Sequence, residues 1–251
     1  TFDNPWKGNI KQVVGTILAP LYFSKIFSHC WVPGKTQKEY ALRLGFDEDK
    51  VFEGMYSADV DRFKSFYDKY RAVKENSFPK RILFVGRYTD HKGVTQMWEA
   101  FQDFQKKHPN DWELWCIGKG ELDHMFPKHE KIKNFGFVQP EDMDHYIQNT
   151  GVFILPSKFE HWGVVVHEYA ASGFPIISSD QTAAASTFLR DNYNGFMHKA
   201  NDKKSLEQAF EKLLSTSDEE LIEMGKRSLE LSESITPSKW SAKIWSIIKE
   251  Q

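Results

Sequence analysis

The sequence has few cysteines and almost no net charge: two cysteines, Cys30 and Cys116, and a formal charge of −2 over 251 residues. Two distant cysteines without C-x-x-C spacing exclude a disulfide framework or a structural zinc site, and a reducing cytoplasm is the expected setting. Near-balanced charge excludes a bulk field that would gather nucleic acid or an anionic membrane, so no nucleic-acid partner is expected and any phosphate binding must be local. Long apolar runs are missing too. None approaches the ~18 to 20 residues that span a bilayer, and the most apolar stretch, Val13 to Phe27, is broken by Pro20 and Lys25. There are no repeats or low-complexity tracts, and the opening TFDNPWKGNIKQ has no signal-peptide pattern. A hydrophobic content of 40% remains, enough for one large or two modest cores.

From Arg81 onward, short β-branched or aromatic runs alternate with longer amphipathic stretches, the pattern of a doubly wound α/β domain. ILFVG (82–86), WELWCIG (112–118), IKNFGF (132–137), GVFILP (151–156) and PIISS (175–179) read as strands. Val94, Met97, Trp98, Phe101 and Phe104 recur at helical spacing, and 141–149 and 163–172 are further helical candidates. The last 50 residues read as helices only: 203–215, 218–231 and 237 to the end. The final one carries an apolar face of Trp240, Ile244, Trp245, Ile247 and Ile248 that is expected to pack on a core. Ahead of Arg81, 27–33 suggests one strand and 36–44 one helix, and the Lys-rich stretch 64–80 a linker or surface helix. The expected organisation is a remnant domain over 1–62, a linker over 63–80, a Rossmann-like domain over 81–235, and a helix over 236–251 that packs back toward the N-terminal part.

Ligands of parallel sheets bind beyond the carboxyl ends of the strands, and three strand ends here carry suitable groups. After the first comes Gly86-Arg87-Tyr88-Thr89-Asp90-His91-Lys92-Gly93. Its forked guanidinium and point-charge ammonium, five residues apart, suit one diphosphate, although loop cations are more often merely solvated. After the second, Gly118-Lys119-Gly120 permits close approach of a ligand or makes an ordinary turn. The third is the sharpest: Glu160-His161-Trp162-Gly163-Val164-Val165-Val166-His167-Glu168. Glu160 and Glu168 flank a glycine that opens a helix, so they cannot form an adjacent acid pair. The helix N-terminus at Gly163 and Val164 is a natural diphosphate seat.

The Glu160…Glu168 pair, with Gly163 after an aromatic residue and the close Ala171-x-Gly173-x-Pro175-Ile176, resembles the E-x7-E motif of the retaining GT-B glycosyltransferases of family 4, the glycosyl transferases group 1. Gly86-Arg87 with Lys92-Gly93, Gly118-x-Gly120, Phe135-Gly136-Phe137-Val138 and Asn194-Gly195-Phe196 agree in order, and the resemblance covers roughly residues 30 to 250. It implies transfer, with retention and without metal or other cofactor, of a sugar from a nucleoside-diphosphate donor, UDP favoured, to a glycan or lipid-linked acceptor. Arg87, Lys92 and Glu160 would be catalytic, the two cations stabilising the leaving diphosphate and Glu160 holding donor-sugar hydroxyls. Glu168 would accept the ribose hydroxyls. Gly86, Gly118, Gly120, Phe137, Val138, His161, Trp162, Gly163 and Val164 would complete the donor site. The glycine-rich loop and histidine of the family's N-terminal domain cannot be located, so a fragment or an unusually short member is expected. Any peripheral membrane contact would fall to that missing part.

Two D-x-D triplets, Asp59-Val60-Asp61 and Asp142-Met143-Asp144, imitate a metal motif, but both sit where aspartate favours a helix start. His167-Glu168 lacks the second histidine of a zinc-protease helix. Two other readings stand beside transfer: a half that binds nucleotide sugar but transfers nothing, and a GT-B relative such as an epimerase or phosphorylase.

Overall fold

The computed structural model describes residues 1–249. By compactness the chain divides into two units, residues 59–234 and residues 1–58 with the C-terminal segment from Ile235. The smaller unit begins with α1 (Ile10–Leu18), whose first turn is capped by the Asn9 side chain. It continues through α2 (Phe23–Ile26), β1 (Cys30–Trp31), α3 (Lys35–Arg43) and β2 (Val51–Phe52). The strand expected over 27–33 is reduced to two residues, paired in parallel as Cys30↔Val51 and Trp31↔Phe52, and Pro33-Gly34 ends it. A small core of Ala19, Cys30, Val32, Ala41, Leu44, Phe46 and Val51 lies beneath. Helix α1 buries no residue, and Ile10 and Ile17 on it are exposed.

The larger unit opens with α4 (Val60–Asn76) and β3 (Arg81–Val85), then α5 (Val94–Lys107), β4 (Glu113–Ile117), β5 (Ile132–Asn134), α6 (Asp144–Asn149) and β6 (Val152–Leu155). It closes with α7 (Val164–Ala171), β7 (Ile176–Ser179), α8 (Ala185–Phe188), β8 (Gly195–His198), α9 (Lys203–Ser215) and α10 (Asp218–Ser232). The last helix, α11 (Pro237–Lys249), belongs to the smaller unit. There the Trp240 indole donates to the Met55 carbonyl (2.8 Å) and its ring lies 5.0 Å from that of Trp31. Trp245 and Ile248 stay exposed, so the expected apolar face is only partly covered. The last two positions of the expected helix, Glu250 and Gln251, lie outside the described residues.

Six strands form one parallel sheet in the order β5-β4-β3-β6-β7-β8. The fold is a doubly wound, Rossmann-like parallel sheet with a helical C-terminus. Ile82, Leu83 and Phe84 of β3 and all of β6 are buried, as expected where helices cover both faces. Helix α5 lays Val94, Met97, Trp98, Phe101 and Phe104 against the sheet, as its spacing predicts. The linker expected over 63–80 is for the most part helix α4, inside the larger unit. Asp59 caps it through the Arg62 N–H, Tyr70 is buried, and Phe63 faces Tyr169. Strand β8 was not expected as a strand, since Gly-Phe-Met-His has no β-branched residue. A Cβ on Gly195 would lie 1.9 Å from the Ile176 carbonyl oxygen, so the glycine admits the neighbouring strand.

The strand order reverses between β3 and β6. From β3 the chain builds outward through β4 and β5, and from β6 through β7 and β8 in the opposite direction. The loops beyond β3 and β6 therefore diverge and leave a crevice between them.

Candidate functional site

Two loops meet at that crevice. Gly93, at the end of the β3 loop, has φ +70°, and a Cβ there would lie 2.2 Å from the Pro156 carbonyl oxygen of the β6 loop. Only glycine allows this approach. The Lys158 N–H donates to the His91 carbonyl (2.8 Å), and the Lys158 ammonium bonds the Asp90 carboxylate (2.5 Å). Inside this outer clasp the Lys92 ammonium pairs with the Glu160 carboxylate, their side chains only 15% and 17% exposed. The Ser157 hydroxyl donates to the same carboxylate oxygen (3.4 Å). Arg87, beyond the end of β3, is exposed, and its guanidinium makes no hydrogen bond or ion pair among the described residues.

The segment behind Glu160 is pinned from the other side. The Glu160 N–H donates to Gln181 (3.0 Å), and the Glu160 and Trp162 carbonyls accept from Ala183 (3.2 Å) and Ala184 (2.8 Å). Gly163 then takes φ +89° and starts α7 without a side-chain cap. Among the described residues no protein acceptor meets the N–H groups of Val164 and Val165. These donors, with the positive end of the helix dipole, face the rim where an anion would sit.

One turn further along α7 stands Glu168. It lines a cavity of about 440 Å³ with Arg62 and Phe63 of α4, Val85 at the end of β3, and Phe137 and Val138 beyond β5. Its carboxylate has no hydrogen bond or ion pair among the described residues. Burial pushes its pKa above the ordinary carboxylate value, and the positive charge of Arg62 pulls it part of the way back. A half-buried carboxylate without donors has its acceptor capacity free for a ligand.

The structure brings Lys92 and Glu160 into contact and places Glu168, Phe137 and Val138 around one cavity at the same strand ends. Gly118 and Gly120 play a different part from close ligand approach. Cβ atoms there would lie 1.9 Å from the Gly86 carbonyl oxygen and 2.3 Å from that of Tyr88, so these glycines let the β3 and β4 loops touch. Gly86 and Gly118 continue the lacing through backbone bonds to Ile117 (3.0 Å) and Gly136 (2.7 Å). Trp162 is buried edge-on to Phe188 rather than open to the crevice, while His161 lies against Phe159. Arg62, Phe63 and Val85 were missed as site residues. The one signal for Arg62 was its place three residues after Asp59, at the end of the stretch read as a remnant domain and beside a triplet read as a decoy.

The decoys resolve structurally. Asp59 caps α4, and Asp144 bonds Lys69 and the Tyr70 hydroxyl. Among the described residues no three His, Cys, Asp or Glu side chains are grouped to hold a metal, and no helix is long and apolar enough to cross a membrane.

The family model for glycosyl transferases group 1 matches residues 67–229, most of the larger unit. The chain belongs to this family. An uncharacterized glycosyltransferase of Haemophilus influenzae is 27% identical over 165 residues, covering 61% of this chain and 44% of that protein. The capsular polysaccharide biosynthesis glycosyltransferase CapM of Staphylococcus aureus is 27% identical over 195 residues, covering 75% and 49%. Anabaena Alr3699/HepE, solved with UDP and glucose, shares the fold at a TM-score of 0.71 with 13% identity, covering 96% of this chain and 67% of that one. This group 1 glycosyltransferase chain thus spans about half the length of the curated relatives it matches.

Proposed function

We propose that the chain binds a nucleoside-diphosphate sugar, UDP-linked in preference, at the crevice between β3 and β6. The whole protein would transfer that sugar to a glycan or lipid-linked acceptor in the manner of the retaining family 4 enzymes. The observation that carries this reading is the placing of Lys92 with Glu160 and of the unpartnered Glu168 at one rim of the sheet. The diphosphate would lie over the N–H groups of Val164 and Val165, with the Arg87 and Lys92 cations on its oxygens. Lys92 exchanges Glu160 for phosphate, and Glu160 is released to accept a hydroxyl of the donor sugar. Fixed cations then stabilise charge that grows on the diphosphate as the glycosidic bond breaks, which is where they accelerate transfer. No metal is needed in this scheme, and same-face attack on the sugar accounts for retention. The UDP in the Anabaena structure and the capsular role of CapM support donor and acceptor class alike. A reducing cytoplasm is the setting we propose.

A second reading applies to this chain taken alone. On it, the chain binds the donor without transferring it. Calorimetric titration with UDP tests the donor site under both readings. Glu168→Ala is expected to weaken binding by about 1.5 to 3 kcal/mol, the worth of hydrogen bonds to a charged acceptor. Unchanged affinity would remove the assignment.

A further inference from the structure

Arg62 stands in the first turn of α4, with its own N–H held by the Asp59 side chain (3.2 Å). Its guanidinium Nη2 donates to the Pro140 carbonyl (2.8 Å), just beyond the Phe137-Val138 edge that walls the cavity. It lines the same cavity as Glu168, and the two side chains act on one another by charge without forming a direct ion pair. An arginine that wanted only a salt bridge would close on the carboxylate. This one is anchored on the Pro140 carbonyl instead, with other N–H groups of its fork still available.

We infer that Arg62 is a positioning residue for the nucleoside. Through Pro140 it fixes the loop that walls the base, and through its charge across the cavity it keeps Glu168 fit to accept the ribose hydroxyls. This rests on the donor-site reading and adds to it a residue outside the E-x7-E segment.

Charge and titration sharpen the inference. The charged and titratable groups around the Glu168 carboxylate are Arg62 and Asp59 of α4 and Tyr169 of its own helix, the last buried with its hydroxyl pKa raised. The ionised carboxylate accepts from hydroxyls more strongly than the neutral acid, so nucleoside binding weakens as pH falls through its pKa. Burial raises that pKa and Arg62 lowers it, so loss of the guanidinium moves the fall-off to higher pH.

The test is calorimetry with UDP from pH 5 to 8 on the wild-type chain, Arg62→Met, Arg62→Lys and Glu168→Ala, with inorganic pyrophosphate as a competitor. Arg62→Met is expected to bind UDP roughly tenfold more weakly at pH 7, the scale of one charge-assisted hydrogen bond. Its affinity should also fall off at a higher pH than that of the wild type. Arg62→Lys, which keeps the charge, should retain the wild-type pH profile, and pyrophosphate should compete equally well in all four proteins. An Arg62→Met profile superimposed on that of the wild type would overturn this inference alone. A wild-type chain that binds no UDP, or that loses nothing on Glu168→Ala, would overturn the donor site and this inference with it.

Discussion

The two sides of the crevice are built on opposite principles. On the phosphate side, two loops touch backbone to backbone at Gly93 and Pro156, and the buried cation of Lys92 already has its anion in Glu160. On the nucleoside side, a cavity stays open and the Glu168 carboxylate has neither donor nor counter-ion in contact. The Lys92–Glu160 pair of the first is satisfied before any ligand arrives. The second is left wanting, and the unfavourable burial of an unpaired carboxylate is relieved only by the hydroxyls it would receive. Rigidity and need are thus divided between the two ends of one site.

That division can be broken most severely at Gly93. A methyl group there faces a backbone carbonyl oxygen at 2.2 Å in a left-handed conformation, so neither a rotamer change nor a small shift relieves it. Gly93→Ala is expected to lower stability by at least about 4 kcal/mol in urea denaturation. A loss under 1 kcal/mol would mean that the loops are not held together as described. Next in size is Lys92→Ala, which strands a mostly buried Glu160 and should cost about 3 kcal/mol. The double variant Lys92→Ala, Glu160→Gln should recover most of this, and a double variant no more stable than the single one would show that the pair is not coupled.

The smallest effect belongs to the other side. The Glu168 pKa is raised by folding, so the folded chain holds this proton more tightly than the unfolded one. This group's contribution to stability is therefore full below the ordinary carboxylate pKa and is lost as pH rises through the elevated one. Acid stabilises the fold through Glu168 while weakening UDP binding, so the two trends have opposite signs. Denaturation of Glu168→Ala against wild type across that range checks it, and a variant with the same pH slope as wild type would erase the contrast.

The residues of the proposed phosphate side could be named from the sequence, and those of the proposed nucleoside side only in part. Arg87, Lys92, Glu160 and Gly163 lie in short segments next to strand ends, where local pattern states the geometry. Most strands from Ile82 to Ser179 were legible for the same reason, being short β-branched or aromatic runs closed by Gly, Pro or Ser, whereas the strand expected over 132–137 ends at Asn134. Arg62 reaches the cavity from a helix whose polar, Lys-rich surface hides a few inward residues, Tyr70 among them. No spacing rule joins it to Glu168. The glycines show a similar limit. Gly118 and Gly120 were visible as special, but whether they admit a ligand or another loop depends on which loop lies alongside, and here it is the β3 loop. Strand β8 escaped because a strand laid beside Ile176 needs room at Gly195 more than it needs β-branched side chains.

Lys92 and Glu160 meet across 68 positions of chain, on loops whose strands build opposite halves of the sheet. Their encounter must wait until β3 has found β6, a non-local pairing that closes slowly compared with any helix. A newly made or partly unfolded chain consequently has no cradle to offer. On the proposed reading, donor sugar is captured only by molecules whose central strands have already joined, which makes ligand capture itself a report that folding is complete.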